Sequence, residues 1–136
     1  MTRVFCAFLL FLTLVVAADD QRCFPLTGRT AIKQVPDHIL GNSALPGGIV
    51  ADYAGYQLFL IRTASTQKAA FLLLDYKKIL QSPKYLANMG GYFGMDAAHR
   101  PNYVFAKGPF LAGVIGLDQE KADPVARTFA ARIPLQ

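Results

Sequence analysis

The 136-residue sequence has few of the residues that most often carry out chemistry, with two histidines, two cysteines and no tryptophan. His38 and His99 are far apart, and the sequence contains neither a His-x-x-x-His nor a Cys-x-x-Cys pair. It also lacks the Gly-x-Ser-x-Gly elbow of hydrolases and the Walker loop of nucleotide-binding proteins. The sequence therefore predicts no metal site, no cofactor and no catalytic residue, and it favours a protein that is not an enzyme.

Charged residues are also scarce, at 17% of the chain against 53% hydrophobic residues. Part of this imbalance lies at the N-terminus, where Arg3 precedes an apolar run from Val4 to Val16 and small residues lead to Asp19. This layout is typical of a secretory signal peptide. A membrane anchor is the alternative, but the run is shorter than the roughly 20 residues that a spanning helix needs. We predict that residues 1–18 are a signal peptide, that no transmembrane segment follows, and that the protein is secreted or periplasmic.

The processed chain would be mildly basic. Removal of residues 1–18 takes away Arg3 and leaves 13 basic against 9 acidic residues, a net charge of +4. The basic residues are scattered, so we predict no nucleic-acid binding, while solubility or an anionic membrane surface could each account for the charge. Cys6 lies in the signal segment, which leaves Cys23 either to pair with another chain or to be a tolerated thiol on a loose tail.

Two stretches share one order of elements. The first, residues 48–80, contains strand patterns at 49–53 and 56–63 and then a helix that Ser65 would cap. The second, residues 102–133, contains short β-type runs at 103–106 and 110–117 and a helix that Asp118 would cap, with Pro124 inside it. The two align without a gap at an offset of 53 residues, which favours a duplicated β-β-α unit.

The resulting domain organisation has three parts: the signal peptide, a lead-in segment over residues 19–46 and an α+β domain over residues 47–136. We predict an antiparallel sheet of about four strands with two helices covering one face. The segment between the units would hold a short helical turn from Ser82 to Leu86 and a brief extended piece at 92–95.

The loop before the second unit is the best candidate for a binding site. It brings aromatic, acidic, imidazole and guanidinium groups close together in the sequence, and binding groups often lie on such loops. The alternative is a structural connection in which Asp96 caps a turn and Arg100 forms a surface ion pair. The candidate residues are Tyr92, Asp96, His99, Arg100 and Tyr103.

Residues 104–117, with the turn Lys107-Gly108 before an apolar strand, and the helix at 122–133 resemble the C-terminal part of small exported bacterial proteins of uncharacterised function. The resemblance implies export and an α+β fold and brings no catalytic residues with it. We therefore predict an exported, soluble, non-enzymatic binding or accessory protein of the bacterial envelope whose partner is an unknown small ligand or protein. The alternatives are a small secreted enzyme that uses the Asp96–His99–Arg100 loop and a partner-binding subunit.

Overall fold

A computed structural model describes residues 19–135, which form an α+β fold around one antiparallel sheet. The sheet has seven strands in the order β1-β2-β3-β7-β6-β5-β4. The strands are β1 (Arg29–Asp37), β2 (Pro46–Tyr53), β3 (Tyr56–Arg62), β4 (Gln81–Leu86), β5 (Gly91–Met95), β6 (Pro101–Lys107) and β7 (Phe110–Ile115). The helices are α1 (Thr66–Ile79), α2 (Gln119–Arg132) and a short 3-10 turn (Ile39–Gly41). The predicted fold class and antiparallel sheet are confirmed, but the prediction of about four strands and two helices is wrong, since the described residues form seven strands and three helices, the 3-10 turn included.

The three strands beyond the predicted four are β1, β4 and β5, and they lie outside the two β-β-α units. β1 comes from the segment predicted to be a lead-in, where the sequence of residues 31–35 is compatible with a strand, and it pairs with β2 along most of its length. β4 replaces the predicted helical turn that begins at Ser82-Pro83. Ser82 has a positive φ of 50°, and the ladder shifts register there before β4 continues its pairing with β5. Pairing between strands has overridden the local signal for a helix start.

The two α-helices begin where the sequence places them. The Ser65 hydroxyl accepts a hydrogen bond from the Lys68 amide at 3.1 Å, and the Asp118 carboxylate accepts one from the Lys121 amide at 2.9 Å. Each cap satisfies a first-turn N–H group that has no partner inside the helix. Pro124 lies within α2, as predicted.

The prediction that both helices cover one face of the sheet is wrong, because they lie on opposite faces. Leu73 and Tyr76 of α1 pack with Phe59 and Ile61 of β3, on what we call the α1 face. The α2 face carries the other half of the strand residues. There Ala122, Ala126 and Phe129 of α2 pack with Leu58, Leu60, Tyr103, Phe105 and Val114. Alternate residues of each central strand thus pack into two separate hydrophobic cores, one on each face of the sheet.

This arrangement also limits the predicted duplication. At the offset of 53 residues Leu58 corresponds to Leu111, but Leu58 points to the α2 face and Leu111 to the α1 face. β3 and β7 are antiparallel neighbours, so a rotation that superposed them would keep equivalent residues on one face. The two units share an order of elements, yet no rotation of this kind relates them.

The N-terminal segment is part of the core. Phe24 packs against Phe129 of α2, with ring centroids 5.1 Å apart, and Cys23 is buried beside it. Asp20 is also buried, and its two carboxylate oxygens accept hydrogen bonds from Arg62 at 2.6 and 3.0 Å. The interpretation of Cys23 as a thiol on a loose tail is therefore wrong, and its burial raises the pKa of the thiol.

We expect the replacement Phe129→Ala to lower the free energy of unfolding by about 3–5 kcal/mol, since it removes a fully buried ring that contacts both Phe24 and Phe105. Phe71→Ala is the matched control, because Phe71 is 56% exposed and its truncation should change stability by less than about 0.5 kcal/mol. Urea unfolding followed by circular dichroism measures both values. Equal losses in the two variants would contradict this assignment of the core.

Candidate functional site

The structure does not bring the five predicted site residues together. Tyr103 is fully buried on the α2 face, where its hydroxyl donates a hydrogen bond to Asp123 at 2.6 Å. Tyr92 lies on the α1 face, where its ring packs edge-on against Tyr85 and lies under the Lys77 ammonium. Only Asp96, His99 and Arg100 remain neighbours, in the loop between β5 and β6.

Asp96 is the residue that organises this loop. One carboxylate oxygen accepts hydrogen bonds from the backbone N–H groups of Ala98 and Arg100, each at 2.9 Å. The other oxygen accepts from Arg100 Nε at 3.0 Å and from the Asn102 amide at 3.1 Å. The loop is thus folded around one carboxylate. This matches the alternative interpretation of the sequence, in which Asp96 caps a turn and Arg100 forms a surface ion pair.

This environment holds Asp96 in its ionised form. Burial on its own raises the pKa of the Asp96 carboxyl, but hydrogen bonds from Arg100 and Asn102 and the charge of Arg100 outweigh it and lower the pKa below its ordinary value. A carboxylate with four N–H donors and a lowered pKa is a poor general base at neutral pH. An Asp96–His99 catalytic pair would need this carboxylate to orient the imidazole, but within the described residues its hydrogen bonds go to Ala98, Arg100 and Asn102.

His99 does not complete such a pair either. It is exposed, and its backbone lies in the left-handed region with φ 60°. Within residues 19–135 its side chain makes no hydrogen bond. The His99 backbone N–H donates to the Asp96 carbonyl oxygen at 3.0 Å, but its imidazole forms no hydrogen bond with the Asp96 carboxylate.

A buried polar network ties the loop to α1. Asn102, 1% exposed, donates to Asp96 and to the Arg100 carbonyl oxygen, and its own side-chain oxygen accepts a hydrogen bond from the Tyr76 hydroxyl. Burial and the nearby Asp96 charge raise the pKa of Tyr76, so its hydroxyl stays protonated and donates. The position of Arg100 is consequently fixed through Asp96 and Asn102.

Arg100 is the residue around which a groove is built. Its Nε bonds Asp96, while its two terminal amino groups have no hydrogen-bond acceptor among residues 19–135. Its side chain is 42% exposed and lines three adjoining cavities of about 360, 250 and 360 Å³. We call these cavities together the Arg100 groove.

The middle cavity of the groove is cationic. Its charged and polar lining comes from Lys33, His38, Gln57 and Arg100, and no carboxylate lines it. Its apolar lining comes from Val35, Leu40 and Val50. The flanking cavities contain the acidic groups: Asp96 in one, already paired with Arg100, and Asp52 in the other, which accepts a hydrogen bond from Gln57 Nε2 at 2.7 Å. We call the middle cavity the cationic pocket.

The sheet supplies the floor of the cationic pocket. Lys33 pairs with Val50, and Gln57 pairs with Ile115, and both partners belong to the core of the α1 face. Because paired residues of antiparallel strands point to the same side, Lys33 and Gln57 also point to the α1 face. This part of the face carries polar side chains where α1, which packs over β6 and β7, does not cover it.

The walls of the groove contain strained backbone. Four residues other than glycine have positive φ among residues 19–135. Two of them, His38 and Leu40, line the cationic pocket, and a third, His99, directly precedes Arg100. Such conformations cost about 1–3 kcal/mol each and collect at functional sites. Their position at the groove supports a role for it beyond packing.

Sequence reasoning found Arg100 and missed Lys33, His38 and Gln57. Arg100 stood out because it lies in a short loop beside other polar groups. Lys33 and Gln57 are 24 positions apart in the sequence and lie on different strands. They line the same pocket only because β1 pairs with β2 and β2 pairs with β3. The sequence carries no local signal for that pairing.

Comparison of the chain with protein-family models, with curated proteins and with solved structures finds no match. The resemblance to small exported bacterial proteins therefore stays a prediction. Among residues 19–135, no group of three or more metal-ligating side chains is placed to hold an ion. None of the helices in this part of the chain combines the length and the apolar character that a membrane-crossing helix requires.

We expect Asp96→Asn to lower the free energy of unfolding by about 1–3 kcal/mol at pH 7, because its amide group would face N–H donors that need an acceptor. The lowered pKa of Asp96 means that its contribution is present above the ordinary value of 3.8 and is lost as the pH falls through the folded-state pKa. The difference between variant and wild type should therefore shrink below about pH 3.8.

Asp118→Asn is the control, since asparagine caps a helix about as well as aspartate does and should cost little. Urea unfolding of all three proteins at neutral and acidic pH measures these differences. A loss for Asp96→Asn that stayed constant across the acidic range would contradict the role assigned to the carboxylate.

Proposed function

We propose that this protein is an exported, non-enzymatic binding protein of the bacterial envelope that holds a small anionic molecule in the Arg100 groove. The observation that carries the proposal is the state of Arg100. Its guanidinium is held in place through Nε by Asp96, while the terminal amino groups remain without an acceptor in residues 19–135. A fixed guanidinium with free N–H donors is well suited to a carboxylate or a phosphate group.

The rest of the groove fits the same class of ligand. Lys33 and Arg100 supply positive charge, and the Gln57 amide and the His38 imidazole supply further polar groups within a cavity of about 250 Å³. The adjoining cavity of about 360 Å³ has a mixed lining, in which Leu40, Leu45 and Ile79 offer apolar contacts to a further part of the ligand. Small-molecule sites commonly combine an apolar lining with a few convergent polar groups. A small carboxylate or phosphate with an apolar portion meets both requirements.

Binding is favoured over catalysis by the arrangement of the loop. Asp96 uses both of its carboxylate oxygens to position Arg100 and Asn102, and the His99 imidazole forms no hydrogen bond with that carboxylate. The three loop residues thus act as a support for one cationic side chain. This observation favours the binding hypothesis over the secreted-enzyme hypothesis, which needed Asp96 and His99 to act together.

We expect inorganic phosphate, and hexanoate as a carboxylate with a short apolar chain, to bind the wild-type protein in isothermal titration calorimetry. Arg100→Ala should weaken binding by about tenfold to a hundredfold, since it removes charge-assisted hydrogen bonds. Lys33→Gln should weaken it by a smaller factor without changing stability, because Lys33 is exposed on the edge strand β1.

Lys84→Gln is the matched control, since Lys84 is also exposed, lies on the opposite edge strand β4 and has the same charge. It should leave both affinities unchanged. The proposal is wrong if Arg100→Ala binds as the wild type does, or if Lys84→Gln weakens binding as much as Lys33→Gln does.

Export is the second part of the proposal, and it is supported by the signal-like layout of residues 1–18 and by how soon the fold begins after it. Asp20, two residues past the predicted cleavage position, is already buried and forms an ion pair with Arg62. We expect the protein recovered from the cell envelope or the medium to begin at Asp19, as read by N-terminal sequencing and intact mass. Replacing the small residue before the cut, Ala18→Arg, should block processing. Recovery of a chain that retains Met1 would contradict export by this route.

A further inference from the structure

The outer side of α1 exposes apolar side chains, which the outer side of α2 does not. Phe71 and Leu74 are 56% and 46% exposed, although each lies on a helix whose inner face is well buried. Tyr85, 57% exposed, lies on the same side of the molecule, because it pairs with Tyr92 and Tyr92 pairs with Val104 of the α1-face core. The other large exposed apolar residues of the described chain, Leu26 and Leu135, lie near its ends.

Positive charge surrounds these apolar side chains. Lys68, Lys77 and Lys78 lie on α1, against one acidic residue, Asp75, which gives the helix a net charge of +2. The Lys77 ammonium lies 4.9 Å from the centroid of the Tyr92 ring, and that ring packs against Tyr85, so α1 and β4 form one continuous surface. We define the α1 outer surface as Phe71, Leu74 and Tyr85 together with Lys68, Lys77 and Lys78.

The helix α2 differs from α1 in both its charge and its exposed side chains, so these features of α1 are not common to both helices of the fold. It has the same length of 14 residues, but it carries two acidic residues, Glu120 and Asp123, against three basic ones. It contributes none of the large exposed apolar side chains. The two helices pack on the same sheet and have the same length and type of cap. They differ in the charged and apolar side chains on their outer sides.

The charge on the α1 outer surface argues against a second copy of this chain as its partner. In a two-fold dimer the same patch meets itself, so the three lysines of one copy would face those of the other. Two or three exposed apolar side chains also fall short of the roughly 800 Å² per partner that a stable protein interface buries. The partner that fits should be anionic and should accept isolated apolar side chains.

We propose that the α1 outer surface docks on an anionic lipid bilayer. Phe71, Leu74 and Tyr85 would enter the boundary between headgroups and acyl chains, and the three lysines would lie against the anionic headgroups. Lysine near an anionic leaflet favours binding by about fivefold for each residue, and apolar side chains on the same helix add to this. This docking goes beyond ligand binding in the Arg100 groove and does not depend on it.

The test is sedimentation of the protein with phosphatidylcholine vesicles prepared with and without phosphatidylglycerol. We expect the wild type to sediment with the vesicles that contain phosphatidylglycerol and much less with phosphatidylcholine alone. Phe71→Ser/Leu74→Ser should abolish sedimentation, and Lys77→Gln/Lys78→Gln should weaken it by more than about tenfold. All four side chains are exposed or half-buried, and thermal melting checks that each variant remains folded.

Lys84→Gln/Lys121→Gln is the matched control. It removes the same two charges from exposed positions off the α1 outer surface, since Lys84 pairs with Phe93 of the α2-face core and Lys121 lies on α2. It should sediment as the wild type does. The proposal is overturned if the wild type ignores the anionic vesicles, if this control loses as much binding as Lys77→Gln/Lys78→Gln, or if the wild type is a dimer that Phe71→Ser/Leu74→Ser dissociates.

Discussion

The pairing of β3 with β7 is the constraint on which the rest of the structure depends. It is the single junction between the strands β1–β3 and the strands β4–β7, and it aligns Gln57 with Ile115 at one end and Arg62 with Phe110 at the other. A shift of one residue would turn every side chain of β3 to the other face and mix the two cores. The pairing places Phe59 directly opposite Gly113, where an added Cβ would lie 2.5 Å from the ring. Glycine at this position thus makes room for the ring that stacks on Tyr76 of α1.

The same register builds the candidate site. Gln57 pairs with Asp52 on one side and with Ile115 on the other, and Ile115 pairs in turn with Asn102. One row of residues therefore runs across the sheet from β2 to β6, and it joins the floor of the cationic pocket to the polar network that fixes Arg100. The buried polar groups of that network are all hydrogen-bonded within the described chain. Most of the groove lining comes from the β1–β3 side of the β3–β7 junction, while Arg100, Asp96 and Ile115 come from the other side, so the groove depends on this pairing.

Local signals in the sequence predicted the parts of the fold that local chemistry determines. Ser65 and Asp118 cap the helices, and Leu58 and Leu60 face away from Phe59 and Ile61, all as the patterns indicate. The incorrect predictions concern features that depend on contacts between residues far apart in the sequence. Ser82-Pro83 looks like a helix start, but pairing with β5 makes the segment a strand. The face that each helix covers depends on how the chain crosses the sheet, and periodicity within a helix carries no information about that crossing. For the same reason the sequence found Arg100 and could not find Lys33 or Gln57.

The proposed site for a small anion lies between β1, the 3-10 turn and the β5–β6 loop, with Arg100 as its main contact. Nuclear magnetic resonance titration of the 15N-labelled protein with hexanoate tests the location of binding directly. We expect saturable shifts of the amide signals of Lys33, His38, Gln57 and Arg100, together with a shift of the Arg100 Nε–H signal. Saturable shifts confined to another part of the molecule, such as β4 around Lys84, would contradict this location of the site.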